Sequence, residues 1–377
     1  MTYASDDKKR LVVKIGSSTL TTSDSSIDRD YMQDLTRQIA HLKHEGWQVV
    51  IVSSGAIACG LGRLGVSKRP SDMPTLQAAA SVGQSELAGA YSEFFSEYDV
   101  VTSLVLLTRR DTADRESYLH ARDTFDRLLD LGVVPIVNEN DTVSIEQIRF
   151  GDNDSLAALV SCLIDATLLV IASDIDGLYD ANPTEDADAK LISEVRRIDK
   201  GVMSVAGGAG SVAGSGGMLT KVRAARVMMA AGIPMAIVNG KAEDAIIDAA
   251  EGRCPGTLFA SAERPHSITP KKLWLALGDS SRGSLVIDEG AKRALVRGGG
   301  SLLCVGVRQA NGSFEEGDIV DIEDEEGLVV GRGKVQAGKD EVSLAMGRTS
   351  EELASNRLLS YMAERPVVHR DDLIMFE

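Results

Sequence analysis

Aromatic residues are scarce in this chain of 377 residues, where Phe, Trp and Tyr together make up 4%. A buried core must therefore be built from Ala, Val, Ile and Leu, which supply most of the 44% hydrophobic content. With 25% charged residues, this is an ordinary globular composition, and it excludes a wholly disordered or collagen-like chain. The length predicts about two domains, because a domain has typically about 150 residues.

Closely spaced cysteines and long apolar runs are also lacking. The four cysteines, Cys59, Cys162, Cys254 and Cys304, lie far apart along the chain, which excludes a zinc knuckle or a redox CxxC motif and favours a reducing compartment. No stretch of ~18 residues is apolar enough to span a membrane. The charged N-terminus is unlike a signal peptide. We therefore expect a cytoplasmic protein with no membrane partner.

Positive charge is in deficit. Forty Lys and Arg residues oppose 56 Asp and Glu, which gives a formal net charge of −16. Long-range repulsion by such a chain opposes nonspecific binding to nucleic acid or anionic lipid. A local basic pocket for a small anion is still compatible with this charge.

Short apolar runs alternate with amphipathic segments between Leu11 and Phe259. Strands that alternate with helical patterns in this way predict βαβ units and a mainly parallel sheet. Because the runs are continuously apolar, the sheet should be covered on both faces, as in a three-layer α/β domain of about 250 residues. The runs are LVVKI (11–15), WQVVIVS (47–53), VVTSLVLL (100–107), VVPIVN (133–138), TLLVIAS (167–173) and PMAIVN (234–239).

The pattern changes after residue 260. Residues 261–272 contain two prolines and no apolar period, so they indicate a linker between a first domain at 1–260 and a second at 273–377. The second domain has short β-rich runs separated by glycine turns, with helix expected only near 288–297 and 350–362. We expect it to be small and mostly β. The runs are SLVI (284–287), SLLCVGV (301–307), DIVDIE (318–323), LVVGRGKV (328–335) and EVSLAM (341–346).

Two loops follow the first two predicted strands with residues suited to binding anions. Lys14 lies near the end of the first strand and is followed by Gly16 and two serines. Ser53-Ser54-Gly55 follows the second strand. Ligands of open α/β sheets bind at the carboxyl ends of strands, and glycine lets backbone N–H groups approach phosphate oxygens. A solvated edge lysine and a glycine turn with a helix cap are the alternatives for these loops.

Two clusters of amides and carboxylates, Asn138–Asp141 and Gly151–Ser155, lie beside apolar elements. Burial of so many polar groups without a ligand would be unfavourable, although exposed turns have the same composition. The carboxylates could hold a divalent cation. The nearby sequence has no histidine, which argues against zinc or iron.

The remaining motifs indicate a nucleotide. Ser173-Asp174 ends a very apolar strand, and Gly214–Thr220 leads into an Ala-rich helix, an arrangement that binds anions. Lys221 in the first turn opposes the helix dipole, which is easier to explain if a phosphate is its partner. GLGRLG (60–65) also matches GxGxxG, but it begins seven residues after the strand ends and is a weak signal for a dinucleotide.

These segments occur in the order that they have in the amino acid kinase family, which the chain resembles over nearly its whole length. The β-rich tail, with VIDEGAKRAL (286–295) and GSLLCVGV (300–307), resembles a PUA domain. A small departure is Ser173, where the family often has threonine, and the hydroxyl is kept. The matching segments are VVKIGSS (12–18), VSSGAIACG (52–60), LLTRRD (106–111), ARDTF (121–125), NENDTV (138–143), FGDNDSLAA (150–158), SDIDGLYDANP (173–183) and GSGGMLTK (214–221).

The resemblance implies a three-layer α/β/α amino acid kinase domain with a mainly parallel sheet, and a small, mostly-β PUA-like C-terminal domain. Within the family the chain is most similar to members that use ATP and Mg²⁺ to phosphorylate the γ-carboxylate of L-glutamate, the first step of proline biosynthesis. The resemblance also implies feedback inhibition by L-proline and a homo-oligomer, a dimer or tetramer.

By the same resemblance Lys14 contacts the transferring phosphoryl group, Lys221 the ATP phosphates, and Asp154 orients both lysines. L-Glutamate would be held by Ser54, Asp141 and Asn153, with Asp141 at its ammonium group. No residue is assigned to a metal. The ATP site would be lined by Lys14, Ser173, Asp174, Ser215, Gly216, Gly217, Met218, Leu219, Thr220 and Lys221.

Two alternatives remain at this point. Another kinase of the family, for aspartate, N-acetylglutamate or a nucleoside monophosphate, would have similar phosphate loops. An RNA-binding protein acting through the PUA-like domain is the other, but residues 273–377 have 12 Lys and Arg against 19 Asp and Glu. Because backbone phosphates are bound by clustered Lys and Arg, nucleic acid is not an expected partner.

Overall fold

The chain divides into two compact units, Met1–His266 and Ser267–Glu377. The computed structural model describes residues 8–22, 24–66, 68–108, 111, 114–143, 153–208, 217–260, 272, 275–276 and 281–376. Apart from Lys272, the predicted linker at 261–272 lies outside these residues, so the domain bounds 1–260 and 273–377 stay predictions. No described helix is long and apolar enough to cross a membrane.

The first unit is built on an eight-stranded sheet in the order β3-β4-β2-β1-β5-β7-β8-β6. All neighbouring strands are parallel except β7 and β8. The predicted mainly parallel sheet is therefore confirmed, and β6 and β8 are additions too short to show in the sequence. The strands are β1 (Arg10–Ile15), β2 (Gln48–Val52), β3 (Thr102–Leu107), β4 (Val134–Glu139), β5 (Leu168–Ser173), β6 (Glu194–Val195), β7 (Met235–Asn239) and β8 (Thr257–Phe259).

Helices cover this sheet, and the alternation of side chains along β1 assigns them to its faces. Leu11, Val13 and Ile15 enter a core with α2, α4 and α9, whereas Lys14 points to the other face. Helix α6 packs against β1 without joining that core. The described helices of this unit are α1 (Ser17–Leu20), α2 (Arg29–His44), α3 (Ala56–Arg63), α4 (Met73–Ser96), α5 (Arg115–Asp130), α6 (Asn153–Leu163), α7 (Lys200–Gly208), α8 (Met218–Ala231) and α9 (Ala245–Ala250).

Helices α3 and α4 approach each other unusually closely, and glycine is the reason. A Cβ added at Gly60 would overlap the carbonyl of Ala79, and one at Gly83 would overlap the carbonyl of Ala56. The two backbones therefore touch where each helix has no side chain. The GLGRLG segment lies mostly within α3, and its first glycine serves helix packing.

The second unit has a five-stranded sheet in the order β10-β9-β11-β12-β13, antiparallel except between β9 and β11. Its own core, with Leu285, Phe314 and Ile322 fully or almost fully buried, confirms the predicted small, mostly-β fold. The elements are β9 (Gly283–Ile287), α10 (Glu289–Gly298), β10 (Val307–Gly312), β11 (Ile319–Asp324), β12 (Val329–Val335), α11 (Lys339–Ala345), α12 (Ser350–Ala354) and β13 (Val368–Met375).

Three local predictions in this unit are wrong. EVSLAM, expected as a strand, lies mostly in α11, because the Glu341 side chain accepts a hydrogen bond from the backbone N–H of Gly338 and begins a helix. SLLCVGV is not a strand but includes a 3₁₀ turn at Cys304–Gly306. The helix expected over 350–362 is interrupted, ending at Ala354 before a second 3₁₀ turn at Ser360–Met362.

Candidate active site

A buried aspartate joins two lysines on the face of the sheet that α6 covers. Asp154, in the first turn of α6, has no solvent exposure. Its Oδ1 lies 2.7 Å from Nζ of Lys14 on β1, and its Oδ2 lies 3.4 Å from Nζ of Lys221 on α8. Thr220 donates a hydrogen bond of 2.9 Å to the same Oδ2. The four side chains are thus in contact, although Lys14 and Lys221 are 207 positions apart in the sequence.

The charges in this cluster are mutually dependent. Burial alone would raise the pKa of Asp154, but the charges of Lys14 and Lys221 and the hydrogen bonds from Lys14 and Thr220 hold the pKa below its usual range. The carboxylate is therefore ionised at neutral pH. Because Lys14 and Lys221 are only 5% and 3% exposed, their shared pairing with Asp154 offsets part of the free-energy cost of burying two cations.

A second cluster adjoins the first, because Asn153 is the neighbour of Asp154 in α6. Nδ2 of Asn153 donates to the carbonyl of Ser53 (2.5 Å), to Oγ of Ser54 (3.1 Å) and to Oδ1 of Asn138 (2.9 Å). The amide is therefore anchored to the carboxyl ends of β2 and β4. Ser54 and Asn153, predicted as substrate ligands, are thus in direct contact.

The loop after β2 is shaped for this contact. Gly55 has a φ of 89° and precedes α3, so the chain turns sharply after Ser54. Glycine adopts this left-handed conformation without strain. The glycine turn that was the alternative for this motif is therefore present, and it lies beside the predicted substrate residues.

Asp141 lies just beyond the end of β4, two residues after the buried Glu139. Burial, together with the negative charge of Glu139, raises the pKa of Asp141 to about 7. Two carboxylates in a partly enclosed place attract a cation. A substrate ammonium group has the matching charge.

The predicted nucleotide residues lie at the ends of β5 and α8. Oγ of Ser173 is buried and donates to Oδ1 of the exposed Asp174 at 3.1 Å. Gly217 is the N-cap of α8, and Met218, Leu219 and Thr220 in its first turn are half-buried. Ser215 and Gly216 lie outside the described residues.

A resident metal site is not visible within the described ranges, which contain no group of three or more His, Cys, Asp or Glu side chains able to hold an ion. Asp152, one of the carboxylates considered from the sequence, lies outside those ranges. Asp154 is engaged by lysines, so it is not available as a metal ligand here.

Sequence reasoning missed Gln84, a buried residue of α4 that contacts the second cluster. Its Oε1 accepts a hydrogen bond of 3.3 Å from Asn138, and its Nε2 donates one of 3.2 Å to the carbonyl of Glu139. A sequence signal for this residue is its polar side chain at a position on the apolar face of an amphipathic helix.

Comparisons with known proteins identify the family of this chain. The model of the amino acid kinase family matches residues 9–239, and that of the PUA domain matches residues 283–355. A glutamate 5-kinase of Caldanaerobacter subterraneus subsp. tengcongensis is 42% identical over 368 residues, 98% of each chain. One of Marinomonas sp. is 44% identical over 368 residues, 97% of each chain. A solved UMP kinase from Ureaplasma parvum is 18% identical and has a TM-score of 0.48, over 68% of this chain and 100% of that one.

Proposed function

This chain belongs to the amino acid kinase family, and we propose that it transfers the γ-phosphoryl group of ATP to the γ-carboxylate of L-glutamate. The products would be ADP and γ-glutamyl phosphate, at the first step of proline biosynthesis. Relatives that carry the name glutamate 5-kinase match almost the whole chain at 42% and 44% identity. Those matches span the regions that the models of the amino acid kinase family and the PUA domain match.

The observation that carries the proposal is the buried Lys14–Asp154–Lys221 cluster. Phosphoryl transfer between two anions depends on positioning and on neutralisation of charge. Two lysines that a single carboxylate holds in place form a preorganised cationic site, and such sites stabilise the charge of a transition state. We assign Lys14 to the transferring phosphoryl group, Lys221 to the ATP phosphates and Asp154 to the orientation of both.

No general base is required in this reaction. The attacking group is a carboxylate, which is already ionised at neutral pH. One of its oxygens forms the new bond to phosphorus as the bond from phosphorus to the oxygen of ADP breaks. The cluster accordingly consists of cations and hydrogen-bond donors around an engaged carboxylate.

The second cluster is suited to hold the amino acid. We assign Ser54 and Asn153 to L-glutamate and Asp141 to its ammonium group. An anionic Asp141 beside Glu139 is stabilised by a cation, and this matches an amino acid with a free amino group. N-Acetylglutamate lacks that charge and would bring no cation to Asp141.

We assign ATP to the carboxyl end of β5 and the N-terminus of α8. There Ser173, Asp174 and residues 215–221 would line its site, and backbone N–H groups at a helix N-terminus favour phosphate. ATP would enter as its Mg²⁺ complex, with the ion belonging to the substrate, because Mg²⁺ is commonly held by substrate phosphates. The ion supplies further neutralisation of the phosphate charge.

Other expectations from the resemblance stay predictions. They are inhibition by L-proline, a homo-oligomer, a cytoplasmic location, and a kinase domain at 1–260 followed by a linker and a PUA-like domain at 273–377. RNA binding is not favoured, because the second domain has an excess of acidic residues and the named relatives are kinases.

A substrate panel tests the proposal. The purified full chain is incubated with Mg²⁺-ATP and L-glutamate, L-aspartate, N-acetyl-L-glutamate or UMP, and ADP release is measured. We expect L-glutamate to give a kcat/KM at least a hundredfold above the others. A higher value for N-acetylglutamate, aspartate or UMP would replace the proposed function by that of another kinase of the family.

A further inference from the structure

Gln84 occupies an apolar position of α4. The buried residues of this helix follow a helical period that includes Leu76, Ala80, Leu87 and Tyr91, and Gln84 lies on the same face at 7% exposure. A polar side chain in such a place destabilises the fold unless its groups are paired. Both of its polar atoms are paired, and both partners belong to the end of β4.

The two ends of this hydrogen-bond chain are fixed by the backbone of one residue. The carbonyl of Glu139 can only accept, so it must face Nε2 of Gln84. The N–H of Glu139 can only donate, so it must face Oδ1 of Asn138, at 2.9 Å. Between them, Nδ2 of Asn138 donates to Oε1 of Gln84. Each amide therefore has a single orientation that satisfies its neighbours.

The orientation of the Asn138 amide in turn determines that of the Asn153 amide. Because Oδ1 of Asn138 is turned toward Asn153, the group that meets it must be the donor Nδ2. The same Nδ2 faces the carbonyl of Ser53 and Oγ of Ser54. Nδ2 and not Oδ1 of Asn153 therefore faces these three acceptors. An amide that rotated by half a turn would place donor against donor or acceptor against acceptor along the chain.

Close packing of helix α4 fixes the position of Gln84 relative to the loop that contains Ser54. Gly83 is its neighbour, and the backbone of α4 at this point lies against the carbonyl of Ala56, two residues after Ser54. A shift of α4 would thus displace Gln84 and the Ser54 loop together. The helix is a common support for both sides of the second cluster.

We propose that Gln84 is a positioning residue for the L-glutamate subsite, fixing the orientation of Asn138 and Asn153 without touching the substrate. This inference rests on the proposed function, since it assigns the second cluster to L-glutamate. Loss of Gln84 removes the acceptor of Nδ2 of Asn138 and so weakens the network that orients the amides of Asn138 and Asn153. The substrate then meets an Asn153 side chain that is held less firmly in one orientation.

The test compares variants of the full chain at positions 84 and 38. Gln84→Met keeps the volume and removes both hydrogen bonds, Gln84→Glu places an acceptor against the Glu139 carbonyl, and Gln84→Asn keeps the groups on a shorter stem. Gln38→Met is the matched control, because Gln38 is fully buried in α2 and bonds to Asp34 and Ile246, away from this cluster. Steady-state KM values for L-glutamate and for ATP, kcat and unfolding midpoints are measured for each.

We expect Gln84→Met and Gln84→Glu to raise the KM for L-glutamate about tenfold or more, the size expected for an unpaired buried group, with the KM for ATP within twofold of wild type. Gln38→Met should lower the unfolding midpoint and leave both KM values unchanged. In a double-mutant cycle, Gln84→Met and Asn153→Ala should be less than additive in kcat/KM, because Asn153 is the residue that Gln84 orients.

The proposal is overturned if folded Gln84 variants have a wild-type KM for L-glutamate, if both KM values rise in parallel, or if no variant at position 84 folds. Failure of the proposed function is a separate result. It would show first in the wild-type chain, as an absence of ADP release with L-glutamate.

Discussion

Nζ of Lys14 lies 2.7 Å from Oδ1 of Asp154, and both side chains are almost completely enclosed by protein. A buried ion pair contributes little net stability, because removal of two charges from water offsets their attraction. A functional role therefore explains such a pair better than a contribution to folding stability. Here it keeps a cation at the carboxyl end of β1, where the ligands of open α/β sheets bind.

The two lysines give the first prediction. Lys14→Ala and Lys221→Ala should each lower kcat by ~10²–10³-fold, the usual effect of losing one preorganised partner of a transition state. Lys8→Ala is the control, since that lysine forms an exposed pair with Asp130. Circular dichroism verifies the fold of each variant, and ADP release gives the rate. Near-wild-type turnover in both site variants would remove the cluster from the reaction.

Asp154→Asn separates charge from shape. Asparagine keeps the volume but removes the negative charge that pairs with the buried Lys14 and Lys221. Removal of one partner of a buried ion pair costs about 3–5 kcal/mol. We expect a lower unfolding midpoint in urea and a loss of kcat as large as that of the lysine variants. A variant that unfolds at the wild-type urea concentration would contradict the assignment of Asp154 as the counterion.

The ionisation of Asp141 predicts a pH dependence. With a pKa of about 7, the residue is mostly neutral at pH 6 and mostly anionic at pH 8. The anion is the form that binds an ammonium group, so kcat/KM for L-glutamate at saturating Mg²⁺-ATP should fall about tenfold from pH 8 to pH 6.

Asp141→Asn is the companion variant. Its KM for L-glutamate should rise far more than its KM for ATP, and this part of the pH profile should become flat, because the amide does not titrate. If the slope between pH 6 and 8 persists in Asp141→Asn, another group is responsible for it.

The contact between α3 and α4 predicts opposite effects at two glycines of one helix. Gly83→Ala should destabilise the protein by about 1–3 kcal/mol, since the new Cβ overlaps the carbonyl of Ala56 and the helices must separate. Gly89→Ala should stabilise it by about 0.5–1 kcal/mol, because a Cβ at Gly89 meets nothing within 4 Å. Equal unfolding free energies for the two variants would show that the helices adjust freely.

Much of the first unit could be predicted because its signals are local. Each continuous apolar run became a strand within two or three residues of its expected ends, and glycine, serine and lysine at those ends indicated the site. The path from Gln84 to Asn153 could not be predicted, because it joins α4, β4 and α6 through side chains far apart in sequence. The one sequence feature that indicated this hydrogen-bond path was Gln84 itself, a polar residue on the apolar face of α4.

The second unit was predicted less well, because its signals are ambiguous. In EVSLAM, Val342, Leu344 and Met346 alternate as in a strand, but the buried Val342 and Ala345 follow the helical spacing, and Glu341 caps the first turn. Strand β10, with the sequence VRQANG, has too few apolar residues to be recognised. In both cases, pairing and capping decided the structure where the apolar pattern did not.

In the proposed reaction a γ-carboxylate oxygen of L-glutamate attacks the γ-phosphorus of ATP, and isotope labelling tests this step directly. L-Glutamate labelled with ¹⁸O in both γ-carboxylate oxygens is incubated with the wild-type chain and Mg²⁺-ATP, and the product is trapped with hydroxylamine. Because hydroxylamine attacks the carbonyl carbon, we expect one ¹⁸O to leave in each inorganic phosphate and phosphate release to equal the hydroxamate formed. Unlabelled phosphate, or ADP release without hydroxamate, would contradict it.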